Sequence, residues 1–319
     1  MIAATGQKAG GVAFCVLRDV DRDITVEIWT GWGAALKSFW LHHRGKRLNL
    51  IDGFTDPPSE AGWGYKGVKL FPFPNRIRDG QFTFRGKRYR LPCNAKEENH
   101  AIHGLVYNRP FKLARAFSEK DRAGVLLTHQ YDCGEPGYPF PFKLEILFTL
   151  HPHGVLQVET SVRNTGKTPM PLGDGWHPYF RTGGSISRLL LQFPAQMRLE
   201  LDGRMIPTGR KERTDDFHSL SPIGSRHFDD CFLLAASDGW AEVRLCDPEQ
   251  GLCILSRQRT GPKGYNYLQI YTPPHRQSIA VEPMTCPPDA LNSGEGVLVL
   301  EAGEQIRFQW SVQALVEKR

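Results

Sequence analysis

Short stretches in which apolar and polar residues alternate, each closed by Gly, Pro, Asn or Asp, constrain this chain more than any other feature. In "KLEILFTLHPHGVLQVETSVRNT", Leu156, Val158, Thr160 and Val162 fall on one face and Gln157, Glu159 and Ser161 on the other. "HPHG", His151 to Gly154, supplies a hairpin turn before them. Ile306, Phe308, Trp310 and Val312 repeat the pattern near the C-terminus, and "GQFTFRGKRYRL" shows it again. No 3.6-residue periodicity persists over three turns, and 32 Gly with 23 Pro are what many short strands and turns require. The expected class is all-β. No Ser-rich or low-complexity linker divides the chain, so residues 1–319 are expected to form one large β-sandwich domain.

The remaining composition narrows the function classes. A chain of 319 residues with 40% hydrophobic and 23% charged residues can bury a large core. The opening "MIAATGQKAGGVAFCVLRDV" has neither a basic n-region nor a long apolar run, and no later run approaches a membrane span, so no membrane association is expected. Seven cysteines, odd in number and never closer than seven apart, match neither a disulfide framework nor a zinc knuckle; reduced thiols in a cytoplasm are expected. The net charge of +6 is spread among acidic residues without a basic, aromatic-flanked run, which argues against nucleic acid and leaves room for a small anionic substrate such as a sugar phosphate.

Several chemical signatures can be set aside. "GWGYKG", Gly62 to Gly67, fits G-x-G-x-x-G, but no helix follows that would hold a pyrophosphate. There is no Walker loop, no G-x-S-x-G and no H-E-x-x-H. His100 with His103, and His151 with His153, have spacings seen in metal sites, yet the second pair lies in the expected hairpin turn; no metal or other cofactor is expected. What remains is a set of polar residues flanked by aromatics, Pro or Gly: Arg76 with Asn75 in "FPFPNRIRDGQF", His103 in "NHAIHGLVYNRPF", His177 beside Trp176 in "GDGWHPYF", Asp229 in "RHFDDCFLL" and Glu282 in "QSIAVEPMTCPPDALNSG". Glu282 follows "SIAV" in strand alternation, on a face with Ser278 and Ala280, which implies space beside the carboxylate. Carboxylates and guanidinium groups meet sugar hydroxyls, and aromatic faces meet the C–H faces of the ring.

Taken in order, "NRIRDGQFTFRGKRYRL", "IHGLVYNRPF", "GYP", "HPYF", "MIPTG", "DDCF" and "VEPMTCPPDALN" make the chain resemble the aldose 1-epimerase (galactose mutarotase) family. The resemblance implies a large antiparallel β-sandwich of the galactose mutarotase-like supersandwich type and a cofactor-free interconversion of α and β anomers of an aldose. It implies Glu282 as the base at the C1 hydroxyl, His177 as the acid at the ring oxygen, and His103 as a second group near that oxygen. Arg76, Asn75 and Asp229 would hold sugar hydroxyls, with Asp230 as the neighbour that a one-residue slip would exchange for Asp229. The chain departs from members acting on free hexoses, which often carry an Asn- and Thr-rich stretch before the second His. Asp174 and Trp176 stand there, as further sugar contacts or, for Asp174, as a turn residue, while Tyr179 and Phe180 are open between stacking platform and core. A small-molecule sugar partner and a monomer or homodimer are expected. The alternatives are a hexose-6-phosphate 1-epimerase and a non-catalytic sugar-binding module on the same fold.

Overall fold

The computed structural model describes residues 2–9, 12–54, 65–235 and 239–316. Short antiparallel strands dominate it. A five-stranded meander runs through Ile2–Ala9, Val12–Asp19, Ile24–Trp29, Ala35–His43 and Lys46–Asn49. A nine-stranded sheet has Gln305–Val316 near its middle, between Leu252–Arg259 and Val155–Asn164. The hairpin Phe142–His151/Val155–Asn164 closes at His151–Gly154 with His151 opposite Val155, where the alternation places it. Leu156, Val158, Thr160 and Val162 point inward, as do Ile306, Phe308, Trp310 and Val312. Among the described residues the α-helical stretch is Ala290–Ser293, directly after "CPPD".

The site is built on an eight-stranded sheet. Its order is Pro207–Arg213, Ala195–Leu201, Asp229–Leu234, Tyr267–Tyr271, Ile279–Met284, Gly175–Trp176 and Lys69–Leu70, with Tyr179–Phe180 also paired to Ile279–Met284. Trp176 joins this sheet to the nine-stranded one: its ring lies 5.7 Å from Phe148 and 5.9 Å from Trp310. Alternation along a strand sends Trp176 one way and His177 the other. The expected sugar contact from Trp176 is therefore corrected, since the side chain is fully buried between the sheets.

The cysteine expectation is corrected as well. Cys246 and Cys253 form a disulfide. The strands Trp240–Asp247 and Leu252–Arg259 form a tight hairpin whose register sets Cys246 opposite Cys253, so a spacing of seven in sequence becomes direct adjacency. Cys15, Cys93, Cys133, Cys231 and Cys286 are free thiols. No helix among the described residues is long and apolar enough to cross a membrane. Of the "GWGYKG" stretch, Gly62, Trp63 and Gly64 lie outside the described residues.

Candidate active site

Three neighbouring strands carry one side of the site. The register pairs Gln269 with Glu282 and Asp229 with Tyr271, so Asp229, Gln269 and Glu282 sit on successive strands. Every residue of Ile279–Met284 is buried, on both faces, and the Glu282 side chain is 2% exposed. Gln269 Nε2 donates to Asp229 Oδ1 at 2.7 Å. Gln269 was missed in the sequence, where its signal is a single polar residue in the otherwise apolar "YLQIY". Asp229 and not Asp230 faces Arg76, with Arg76 Nη2 at 3.8 Å from Asp229 Oδ2, while Asp230 pairs with Arg198 at 2.8 Å. Asn75 sits beneath Arg76: its Oδ1 accepts from Arg76 N at 2.7 Å, and its Nδ2 lies 4.0 Å from Met284 Sδ. The Arg76 carbonyl is fixed in turn by Asp289 N at 2.6 Å.

The opposite side is a strand broken by Gly and Pro. Met170–Leu172, Gly175–Trp176 and Tyr179–Phe180 are separate pieces, and His177 lies in a gap between them. A Cβ on Gly175 would stand 2.6 Å from Pro74 Cβ, so glycine lets this segment press against the loop that holds His103. His103 itself has φ of 63°, and its Nδ1 donates to Pro74 O at 2.8 Å. The backbone of His177 is held at both ends, by Val68 O at 3.2 Å and Gly67 N at 2.8 Å. These constraints put His177 Nε2 3.4 Å from Glu282 Oε1.

Rings lock the imidazoles. His177 stacks on Tyr179 at 4.9 Å and 5°, and meets His103 edge-on at 5.0 Å. Tyr65 packs edge-on against His103 at 4.4 Å. Asn94 Nδ2 reaches the hydroxyls of Tyr65 and Tyr107 at 3.3 and 3.4 Å. Tyr179 is thus a platform for His177, whereas Phe180 belongs to the core. Tyr65 and Asn94 were not read from the sequence, because loops distant in the chain converge here.

Burial sets the protonation of the cluster. Desolvation pushes the Glu282 carboxyl well above its ordinary range, Asp229 adding to the shift and Arg76 opposing it. Desolvation and then His103 push His177 well below its ordinary value. His103 falls to about 3, again mainly through burial, so it is neutral. Since Pro74 O can only accept, His103 Nδ1 carries the proton and its Nε2 is a lone-pair acceptor. Glu282 Oε2, His177 Nδ1, Gln269 Oε1 and Arg76 Nε are buried without a protein partner. Four buried polar atoms without a partner, on residues that adjoin one another, mark a place where a polar ligand completes the hydrogen bonding.

The other candidates lie elsewhere. Asp174 contacts neither the pocket nor a turn partner: Oδ1 accepts from Lys69 Nζ at 2.5 Å and Tyr265 OH at 2.6 Å, fully buried. His100 accepts from Asp79 N and donates to Arg204 O, at 3.2 and 3.1 Å, pointing away from His103. His151 and His153 sit at the far hairpin. Among the described residues no three His, Cys, Asp or Glu side chains form a cluster able to hold a metal.

A profile of one enzyme family, aldose 1-epimerase, matches residues 19–313. The chain belongs to the aldose 1-epimerase family. Family members are isomerase-type enzymes. The Escherichia coli K12 protein YihR is 31% identical over 260 residues, 80% of this chain and 81% of its own. The maltose epimerase of Levilactobacillus brevis is 25% identical, covering 88% and 89%. Galactose 1-epimerase from Lactobacillus acidophilus NCFM superposes with a TM-score of 0.83 over 99% of both chains at 18% identity, a likeness of fold.

Proposed function

We propose that this aldose 1-epimerase family member interconverts the α and β anomers of an aldose by acid/base ring opening between Glu282 and His177. The observation that carries the reading is the buried carboxylate–imidazole contact of 3.4 Å, with the second carboxylate oxygen unpaired. Opening a hemiacetal needs one proton to leave O1 while another reaches the ring oxygen, and reclosure on the other carbonyl face reverses both transfers. One proton shared by the pair is enough. Burial favours the neutral form of each group, and moving that proton from Glu282 to His177 creates carboxylate and imidazolium together without changing the net charge. A sugar hydroxyl donating to Glu282 Oε2, with Arg76 nearby, favours the charged arrangement. Glu282 then takes the proton from O1 and His177 gives its proton to the ring oxygen; His103, an acceptor at Nε2, takes a hydrogen bond from a sugar hydroxyl. Arg76, Asp229 and Gln269 hold further hydroxyls, and Asn75 shapes the Arg76 turn.

The shared proton gives the pH profile a definite sign. Activity requires one proton on the pair, so the acidic limb is the entry of a second proton, with His177 displaced downward, and the alkaline limb is loss of the last, with Glu282 displaced upward. The expected profile is a plateau wider than the interval between ordinary Glu and His values. The test is anomer exchange of fresh α-glucose and α-galactose, followed by polarimetry across pH. Failure of both sugars and a panel of other aldoses to exchange faster than buffer would refute the reading.

A further inference from the structure

Asp289, seven residues after Glu282, is a buried acidic side chain that takes no part in the proton transfers. We propose that it is a positioning residue, which grips the peptide groups on either side of Ile77 and so aims the Arg76 guanidinium at the sugar. The proposal rests on the anomer-exchange reading above and adds to it a residue that acts through Arg76.

Asp289 does not behave as an ordinary helix cap. It precedes the helical turn Ala290–Ser293 with φ of 57° and ψ of 23°, and its side chain caps none of that turn's backbone N–H groups. A cap residue normally has extended backbone and accepts from the second or third helical N–H. Positive φ is uncommon outside glycine, although Asp and Asn tolerate it best. Here it accompanies contacts far back in the chain: Asp289 Oδ1 accepts from Arg78 N at 2.9 Å, and Asp289 N donates to Arg76 O at 2.6 Å. These two bonds flank Ile77, whose own N–H and carbonyl pair with Ala101 at 2.7 and 3.2 Å. Asn292 completes the clamp, donating from Nδ2 to Asp289 Oδ1 at 2.7 Å and to Gln81 O at 2.8 Å.

Arg76 depends on such a clamp because little else aims its side chain. Its Nε is buried without a partner, and Nη2 stands 3.8 Å from Asp229 Oδ2, too far for a hydrogen bond. A planar fork meets its acceptors in one orientation, so a small rotation of the 76–78 backbone carries it off the sugar oxygens. The segment that holds this loop also holds the opposite side of the site. Thr285 N donates to Asp174 O at 2.9 Å, and Thr285 Oγ1 accepts from Asp174 N at 2.9 Å. Residues 282–292 thus carry the base, tie down the stretch that leads to His177 and, through Asp289, fix the Arg76 loop.

The experiment compares Asp289→Gly, Asp289→Asn, Arg76→Lys and the double variant Arg76→Lys/Asp289→Gly in the full chain. Exchange of α-glucose and α-galactose, calorimetric binding of the same sugars and thermal melting are measured on each. Glycine tolerates the positive φ and keeps the bond to Arg76 O while removing the carboxylate, and asparagine keeps an acceptor oxygen for Arg78 N. The expected result is a KM raised about fivefold to tenfold in Asp289→Gly with kcat little changed, and a KM within about twofold of wild type in Asp289→Asn. In the double variant KM should exceed that of Arg76→Lys by no more than about twofold, because the two residues act as one unit. A lowered melting temperature with KM unchanged would leave Asp289 in the scaffold alone, and KM losses that multiply in the double variant would mean that it does not act through Arg76; either result overturns the proposal. Should Asp289→Gly fail to fold, Asn292→Ala removes the donor that orients the carboxylate and is expected to raise KM a few-fold, and an unchanged KM there overturns the proposal too. If neither sugar is exchanged, the exchange reading falls and calorimetry decides on Asp289. A Kd raised in Asp289→Gly and restored in Asp289→Asn keeps the positioning role, whereas an unaltered Kd, or no binding by wild type, overturns it.

Discussion

Two buried polar clusters share the same chain segments and differ in one respect, whether their charges are partnered. Beneath the pocket, Lys69 is fully buried; its Nζ donates to Asp174 Oδ1 at 2.5 Å and Gly175 O at 3.1 Å, and lies 4.8 Å from the Trp176 ring. Tyr265 adds a bond to the same carboxylate, and Thr285 N ties the Asp174 carbonyl to the Glu282 segment at 2.9 Å. A few residues on, Glu282 and His177 face each other with Glu282 Oε2 and His177 Nδ1 unpaired. In the lower cluster the two charges are paired with each other, and Asp174 Oδ2 and Trp176 Nε1 are left without a partner. The lesson is that burial of charge alone does not mark a site. Paired burial sets the geometry of segment 174–177, and unpaired burial is where a ligand supplies the missing bonds.

The largest effect should come from breaking the lower pair. Lys69→Met leaves Asp174 charged and uncompensated, which costs about 3–5 kcal/mol on denaturant unfolding. Adding Asp174→Leu to it should recover most of that loss, because a buried ion pair replaced by apolar residues is often neutral. A Lys69→Met protein as stable as wild type would remove the distinction between the clusters. In the upper cluster, His177→Asn should lower anomer exchange by about 10²-fold with stability nearly kept. If it instead unfolds the protein like Lys69→Met, both clusters are scaffold.

The next effect is a pH dependence of stability. His103 is held near 3 in the fold, against an ordinary value near 6.5 unfolded, so the unfolded chain takes its proton first as pH falls. The stability it contributes is complete above about 6.5 and is lost on acidification, about 2 kcal/mol between pH 6.5 and 5. Urea unfolding of His103→Gln should show a shallower loss over that interval; an equal slope would mean that His103 charges readily in the fold. The smallest effect concerns Arg76, 3.8 Å from Asp229. Arg76→Lys keeps the charge but loses the planar fork, and KM for the sugar should rise about tenfold with kcat little changed. Unchanged KM with a lowered melting temperature would place Arg76 with the scaffold.

How much of this was legible in the sequence depended on whether the signal was local. Alternation in 156–162 and 306–312 gave strands, inward faces and the 151–154 turn, because side-chain period and turn chemistry are written in neighbouring residues. Arg76, His103 and His177 stand at irregular or broken pieces of chain and meet Asp229 and Glu282 on strands of one sheet, and the structure separates Asp229 from Asp230 by pairing the latter with Arg198. Trp176 was misjudged because one residue of strand parity decides between pocket and core. Cys246 and Cys253 were misjudged because sequence spacing does not reveal that a tight hairpin sets them in register. Gln269 and the Lys69–Asp174 pair depend on strand order, and Tyr65 and Asn94 on the meeting of loops distant in the chain, neither of which a local pattern contains.

The central claim is that Glu282 is kept in the fold at a cost to stability because the reaction needs it, and Glu282→Gln tests both halves in one protein. The carboxyl is raised in the folded state, so its contribution to stability is present below about pH 4.5 and is lost as pH rises toward the folded value. Gln cannot ionise. Thermal melting of wild type and variant from pH 5 to 8, with anomer exchange and sugar binding measured on the same samples, should show a melting temperature raised by a few degrees, more at pH 8 than at pH 5. Exchange should fall by about 10² or more while binding persists. A variant that exchanges anomers at the wild-type rate, or one whose melting temperature falls at every pH, would contradict the account.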